Sequence, residues 1–193
     1  SAPGRVNLIG EHLDYNGGPV LPFAIDRRTW VAAGPADGMT MVSAESVGPP
    51  VHRVAGPPTG HWSDYLMGVV HRLQHMGAPA GGAQLAVVSE IEPGAGLSSS
   101  AALTVAGAAV LARLAGQRLP PDALADVAFH AEYDYVGVRC GRMDQTIVAH
   151  ALDGTATLID TASGAMSAVP FPYEVWIVPT GVAHTLADGG YNV

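Results

Sequence analysis

The chain has 193 residues, of which 48% are hydrophobic, and nine basic against seventeen acidic residues give it a formal net charge of −8. A chain of this length can bury a sizeable core, and its apolar content excludes a disordered protein. All nine basic residues are arginines, which excludes a Walker-A phosphate loop, a protein-kinase ATP-site lysine and a lysine Schiff base within these residues. The negative charge argues against a nucleic-acid partner.

No apolar run approaches the roughly 20 residues of a membrane span, and no signal peptide opens the chain. The single cysteine, Cys140, permits no internal disulfide. We therefore predict a cytoplasmic protein with no membrane partner. The chain begins without Met and stops shortly after a turn-rich stretch at 188–190, which predicts a piece of a longer protein.

The first third of the chain is predicted to be mainly extended. Four short apolar runs, at 5–9, 20–25, 29–33 and 39–43, are separated by Gly, Pro, Asn and Asp. A Pro- and Gly-rich stretch at 48–60 follows them and is typical of a surface loop.

Helical spacing appears next. One helical face carries Trp62, Leu66, Val69, Val70 and Leu73, and the helix is predicted to end near Gly77. The remaining predicted elements are a strand at 85–91, helices at 98–115, 121–135 and 143–149, and strands at 155–160 and 174–179. Strands that come first, with no regular βαβ alternation, favour an α+β fold over a doubly wound sheet.

A glycine-rich turn leads from the strand at 85–91 into the helix at 98–115. The run consists of Pro93, Gly94, Ala95, Gly96, Leu97, Ser98, Ser99, Ser100 and Ala101. Such a turn points several free backbone N–H groups at one spot in front of a helix dipole, which makes an anion cradle that needs no lysine. A plain serine-capped helix uses the same residue types, so both interpretations stay open.

A second polar cluster lies between two apolar runs and is predicted to form an exposed loop. Glu11, His12 and Asp14 offer the acceptors and donors that bind sugar hydroxyls, although the Asn-Gly pair that follows them is typical of an ordinary turn. Asp144 begins a predicted helix, where an Asp is usually a cap, and Glu132 taken alone is typical of a solvated acid.

Taken together, these segments resemble the galactokinases of the GHMP superfamily of small-molecule kinases. The resemblance is carried by Gly-Arg-Val-Asn-Leu-Ile-Gly-Glu-His-x-Asp-Tyr-Asn at 4–16, the glycine- and serine-rich run at 93–102, Gly-x-Met-Asp-Gln at 141–145, Trp-Ser-Asp-Tyr at 62–65 and His-x-Leu-Ala at 184–187. Two features depart from the family pattern. Leu13 stands where the family usually has Thr, and the glycine-rich third motif of the family's C-terminal domain is missing.

The resemblance implies the α+β fold of a GHMP kinase N-terminal domain, which is similar to domain 2 of ribosomal protein S5, with a mixed sheet covered by helices. Residues 1–175 would form this domain, and residues 176–193 would form the crossover into a C-terminal domain that is not present. We therefore expect no kinase activity from these residues alone. The full-length protein is expected to be a monomer or a weak dimer.

The resemblance also implies a reaction, the transfer of the ATP γ-phosphate to the anomeric hydroxyl of α-D-galactose, giving galactose 1-phosphate for the Leloir pathway. Asp144 would accept the proton of the sugar hydroxyl or orient that hydroxyl, and Arg5 beside it would keep the carboxylate ionised. Glu11, His12 and Asp14, with Arg5 and Asp144, would bind the sugar. Residues 93–101 would wrap the phosphates.

Magnesium would be held by Ser100 and Glu132, with water completing its coordination. Two other functions remain open. One is a related sugar-1-kinase for N-acetylgalactosamine, arabinose or galacturonate, and the other is a non-catalytic galactose sensor. The Ser100-Ala101 pair and Asp144 are both intact, which favours an enzyme over a sensor.

Overall fold

The strands form two separate sheets in a computed structural model that describes residues 1–45 and 49–178. The strands are β1 (Ala2–Asn7), β2 (Pro19–Val20), β3 (Pro22–Pro35), β4 (Met39–Ser43), β5 (Val51–Arg53), β6 (Ala83–Ser89), β7 (Thr155–Asp160) and β8 (Met166–Pro170). The larger sheet has the order β1-β3-β6-β4-β5 and the smaller the order β2-β7-β8. Only β4 and β6 pair in parallel within the described residues, so the larger sheet is mixed, as predicted.

The helices cover one face of the larger sheet. They are α1 (Ser63–His75), α2 (Ser99–Leu114), α3 (Pro121–His130) and α4 (Met143–His150), and a π-helical segment, Ala131–Val136, continues α3. Helix α2 packs against β3 and against α1. At this contact a Cβ on Gly107 would press on the Leu66 side chain, so a glycine allows the two helices to approach closely.

Buried and exposed residues alternate along β6, so one face of this strand lies in the hydrophobic core. Ala83, Leu85 and Val87 point inward and are buried, while the residues between them are exposed. From the other side, Leu66 and Leu73 of α1 are completely buried. This arrangement confirms the α+β fold, with a mixed sheet covered by helices.

Four elements differ from the sequence expectations. The runs at 20–25 and 29–33 belong largely to one long strand, β3, and the stretch at 48–60 contains the short strand β5. The strand predicted at 174–179 is absent from residues 174–178, and the last strand that the structure describes is β8. Strand β8 is exposed along most of its length, so its sequence does not alternate between buried apolar and exposed polar residues. Only its pairing with β7 defines it as a strand.

The predicted motif at 184–187 and most of the predicted crossover at 176–193 lie outside the described residues. The division of the chain at residue 175 therefore stays a prediction. Among the helices that the structure describes, none is both long enough and apolar enough to cross a membrane.

Candidate active site

An arginine–aspartate pair joins the first strand to the last helix of the described chain. The guanidinium of Arg5 on β1 donates from Nε to Oδ1 of Asp144 at 2.6 Å and from a terminal nitrogen to Oδ2 at 2.8 Å. This fork matches the planar geometry of a carboxylate and is among the stronger protein hydrogen bonds. Both side chains keep some exposure to solvent, 15% for Arg5 and 27% for Asp144, so the pair is fixed but remains accessible.

The glycine-rich turn lies directly against this pair. Another guanidinium nitrogen of Arg5 donates to the carbonyl of Gly96 at 2.7 Å, and its backbone N–H donates to the carbonyl of Leu97 at 3.1 Å. Gly94 and Gly96 both have positive φ, 77° and 74°, a conformation that side chains rarely adopt. The fold therefore brings the predicted phosphate loop and the predicted catalytic aspartate together through Arg5.

The start of α2 decides between the two interpretations of the serine run. Ser98 occupies the N-cap position, but its hydroxyl donates to Oδ2 of Asp144 at 2.5 Å instead of capping the helix. Within the described part of the chain, no side chain caps α2. The plain serine-capped helix is therefore wrong, and the N–H groups at the start of α2 keep their capacity to bind an anion.

Asp14 reaches the same site from the predicted sugar loop. Its Oδ1 accepts the backbone N–H of Met143 at 2.9 Å, so it caps α4 from a distance of 129 residues along the chain. Burial, with a contribution from the negative charge of Asp144, raises the pKa of Asp14 to about 6. A Cβ on Gly141 would overlap the Asp14 carboxylate, so the glycine is required for this approach.

The other two sugar-loop residues lie at the surface. Glu11 and His12 are exposed on the turn at 10–18, and the His12 ring nitrogen Nδ1 lies 2.5 Å from the Tyr15 hydroxyl. The Leu13 side chain packs over Gly18 on the same turn. The structure thus places Asp14 beside Asp144, whereas contact of Glu11 and His12 with a sugar stays a prediction.

Glu132 is not the solvated acid that its sequence context suggests. It is 1% exposed, in the π-helical segment, and its Oε1 accepts hydrogen bonds from Thr104 at 3.1 Å and from Gln145 at 2.9 Å. The hydroxyl of Ser100 also hydrogen-bonds to this carboxylate. Burial raises the pKa of Glu132 to about 7. Single π-helical turns inside helices frequently occur at functional sites.

The side-chain oxygens of Ser100 and Glu132 are of the kind that binds a magnesium ion. A carboxylate and a hydroxyl are the hard oxygen ligands that Mg²⁺ takes, usually together with water and substrate phosphates. Among the described residues, no group of three or more His, Cys, Asp or Glu side chains could hold a metal by itself. Ser100 and Glu132 would therefore supply only part of the coordination.

Sequence reasoning missed three further features. Gln145, whose place in the Gly-x-Met-Asp-Gln motif is a usable signal, is buried and holds Glu132. The side-chain amide of Asn7 is buried with no hydrogen-bond partner among the described residues, and no local pattern indicates this. His71 and His75 have the His-x-x-x-His spacing of metal ligands, and their rings lie 4.2 Å apart at a tilt of 48°. No third ligand accompanies them in the described chain.

Two family models match the chain. Residues 1–35 match the galactokinase galactose-binding signature, and residues 64–151 match the GHMP kinases N terminal domain. The galactokinase of Chloroflexus aurantiacus is 41% identical over 99% of this chain and 51% of its own length, and that of Thermosipho africanus is 38% identical over 100% and 55%. The chain thus spans about half the length of the curated relatives that it matches.

Solved structures agree with these matches. The galactokinase of Lactococcus lactis, solved in complex with galactose, superposes with a TM-score of 0.81 at 31% identity, over 88% of this chain and 46% of that one. Mevalonate kinase of Methanococcus jannaschii gives a TM-score of 0.74 at 17% identity, over 87% and 54%, which is a likeness of fold alone.

Proposed function

Since the chain belongs to the GHMP kinase superfamily and carries the galactokinase signature, we propose that its protein transfers the γ-phosphate of ATP to the anomeric hydroxyl of α-D-galactose. The observation that carries the proposal is the Arg5–Asp144 pair, which Arg5 ties to the phosphate loop at Gly96. A proton acceptor and an anion cradle are thereby held side by side, which is the arrangement that phosphoryl transfer needs.

In this mechanism Asp144 accepts the proton of the anomeric hydroxyl, or at least orients that hydroxyl toward the γ-phosphate. Arg5 fixes the carboxylate through its two hydrogen bonds to Oδ1 and Oδ2. The free N–H groups at the start of α2 and the turn at 93–97 hold the phosphates, which compensates for the absence of lysine from the chain.

Galactose would be bound by Asp14, Glu11 and His12 together with the Arg5–Asp144 pair. Asp14 supports this role because it is a half-buried carboxylate with acceptor capacity beyond its bond to Met143. A cleft of about 310 Å³ lies beside Asp14 and Gly141. Bound Mg²⁺, held by Ser100 and Glu132, would neutralise charge on the transferring phosphoryl group.

The curated relatives named galactokinase favour galactose over a related sugar such as N-acetylgalactosamine. A catalytic role is favoured over a sensor because Asp144 is fixed by Arg5 and the Ser100-Ala101 pair is intact. A cytoplasmic location and a monomeric or weakly dimeric state of the complete protein stay predictions.

The test is an ADP-release assay on the complete protein that carries this chain, with a panel of sugars. Galactose should be the preferred substrate, and Asp144→Asn should lower kcat by ~10² or more, while galactose binding measured by calorimetry persists. Asp153→Asn, at an exposed turn, is the matched control and should leave kcat unchanged. Near-native turnover by Asp144→Asn would contradict the assigned role.

A further inference from the structure

Ser98 has a backbone conformation that a serine does not favour. Its φ of 57° and ψ of 47° lie in the left-handed region, and among the described residues it alone has positive φ without being a glycine. A glycine would adopt this conformation without strain. An outlier of this kind at a candidate active site calls for a functional reason.

The reason lies in the contact that its side chain makes. Ser98 is 8% exposed, and its hydroxyl donates to Oδ2 of Asp144 at 2.5 Å. The left-handed turn directs the hydroxyl away from the helix end, where a serine at the N-cap position usually bonds, and toward the carboxylate.

The two oxygens of the Asp144 carboxylate differ in the number of hydrogen bonds that they accept. Oδ2 accepts from Arg5 at 2.8 Å and from Ser98, whereas Oδ1 accepts only from Arg5, at 2.6 Å, among the described residues. Each carboxylate oxygen offers about two acceptor positions. Oδ2 is therefore saturated, and one acceptor position remains open on Oδ1.

We infer that Ser98 is a positioning residue, which occupies the second acceptor position of Oδ2 and thereby leaves Oδ1 of Asp144 as the atom that receives the sugar hydroxyl. This inference rests on the proposed function and specifies its geometry. In the transfer step the hydroxyl proton passes to Oδ1 as its oxygen bonds to the γ-phosphorus. The bond from phosphorus to the β–γ bridging oxygen breaks, and ADP leaves with that electron pair.

The same contact links the two halves of the reaction. Ser98 ends the phosphate loop and begins α2, so its hydrogen bond sets the distance between the proton acceptor and the N–H groups that hold the phosphates. Arg5 makes the parallel link from Asp144 to the carbonyl of Gly96. A shift of the loop without Ser98 would therefore misalign the hydroxyl with the phosphorus even when both substrates bind.

Two variants separate this role from a structural one. Ser98→Gly removes the hydroxyl and relieves the backbone strain, whereas Ser98→Ala removes the hydroxyl and keeps the strain. Both should lower kcat of the complete protein by ~10- to 100-fold, the range expected for a hydrogen bond to a charged group, with little change in galactose KM. Ser98→Ala should also melt at a lower temperature than Ser98→Gly.

A double-mutant cycle with Asp144→Ala shows whether Ser98 acts through that residue. We expect Ser98→Gly to have almost no further effect on kcat in the Asp144→Ala background. Wild-type kcat in Ser98→Gly, or losses that simply add in the double variant, would overturn the inference and leave the proposed function intact. A protein that phosphorylates another sugar but not galactose would contradict the proposed specificity alone, and the cycle would be run with that sugar. A protein that phosphorylates no sugar would overturn both.

Discussion

Among the described residues, the buried carboxylates of Asp64 and Glu132 and the half-buried carboxylate of Asp14 fall into two kinds. The Asp64 carboxylate has enough partners within the protein to compensate for its burial. Burial alone would raise its pKa, but hydrogen bonds from the backbone N–H of Thr59 and the guanidinium of Arg53 outweigh that effect and lower the pKa. Asp14 and Glu132 lack this compensation, because burial has the larger effect and raises the pKa of each carboxyl group. A carboxylate that the protein desolvates without full compensation is typical of a binding or catalytic site, where a ligand supplies the missing partner.

The raised pKa of Glu132 predicts a pH-dependent cost to stability. The unfolded chain ionises this group near 4.5 and the folded protein near 7, so the folded state binds more protons between these values and stability falls as the pH rises through that window. Glu132→Gln keeps an acceptor for Thr104 and Gln145 but carries no charge. It should raise the free energy of unfolding at pH 8 by up to about 3 kcal/mol, with no gain at pH 4.

Chemical denaturation at both pH values, without magnesium or nucleotide, checks this prediction. The same variant should lose magnesium-dependent activity, because its amide binds the cation poorly. Glu174→Gln, at an exposed position, is the matched control for a change of net charge. Equal stability of Glu132→Gln and the wild type at pH 8 would contradict the raised pKa.

Asp14 predicts the pH dependence of sugar binding. The ionised carboxylate can accept both the Met143 N–H and a sugar hydroxyl, whereas protonation removes acceptor capacity. Because the pKa of Asp14 is raised to about 6, galactose affinity should be full above that pH and weaken as the pH falls through it. The effect is measured by calorimetry between pH 5 and 8. This range extends roughly one unit below and two units above the pKa of Asp14.

Asp14→Asn is the control for this titration. It should bind galactose more weakly at every pH and show a flat profile across the same range. A variant that keeps the wild-type pH dependence would assign the titration to another group.

At the scale of elements, two glycines define the two halves of the site. Gly96 has φ of 74° and open space around its Cα, so a side chain there strains the loop without meeting any protein atom. Gly141 lies against Asp14, where a Cβ would overlap the carboxylate and push it away from α4. Gly96→Ala should therefore affect the nucleotide, and Gly141→Ala the sugar.

We expect Gly96→Ala to raise the KM for ATP by about tenfold, from a strain of ~1 kcal/mol or more, with galactose affinity retained. Gly141→Ala should weaken galactose binding by ~10-fold or more, as overpacking does, with ATP affinity retained. Each variant is the control for the other. Loss of both ligands in either variant would indicate misfolding instead of a local effect.

The elements that local periodicity could predict are those whose own residues form the buried face. Helix α1 follows from the apolar spacing between Trp62 and Leu73, and its observed start at Ser63 agrees with it. Strand β8 could not be predicted, because it is exposed and only its partner β7 defines it. A run of hydrophobic residues at 175–178 suggests a strand, but nothing in its own pattern supplies a partner.

The same limit applies to the site. The glycine run and the aspartate motif were visible as local patterns, and the family resemblance assigned their roles. Their contacts join residues far apart in the chain: Ser98 and Asp144 are 46 positions apart and Arg5 and Asp144 are 139 apart. Neither the left-handed turn at Ser98 nor the burial of Glu132 has a local signal, because tertiary packing produces both.

At the scale of the whole molecule, large hydrophobic side chains are concentrated on the surface after β8. Tyr173, Trp176 and Val178 are 71%, 81% and 79% exposed. At the start of this segment the Phe171 ring packs 5.1 Å from that of Phe23, which fixes the segment to the larger sheet. Exposed apolar side chains that cluster in one segment are typical of an interface.

We therefore predict that a polypeptide of these 193 residues, prepared alone, self-associates at concentrations on the order of tens of micromolar and has no galactokinase activity. The physical reason is that the segment at 171–178 offers apolar surface to a second copy, and that Arg5 and Asp144 keep 15% and 27% exposure to solvent, so water reaches the candidate site. Light scattering on a sizing column measures the association. The double variant Trp176→Ser/Val178→Ser should be less associated than the wild type, whereas Val54→Ser, an equally exposed valine outside the segment, should not differ from it. A monodisperse monomer that phosphorylates galactose would show that these residues need no further surface to complete the site.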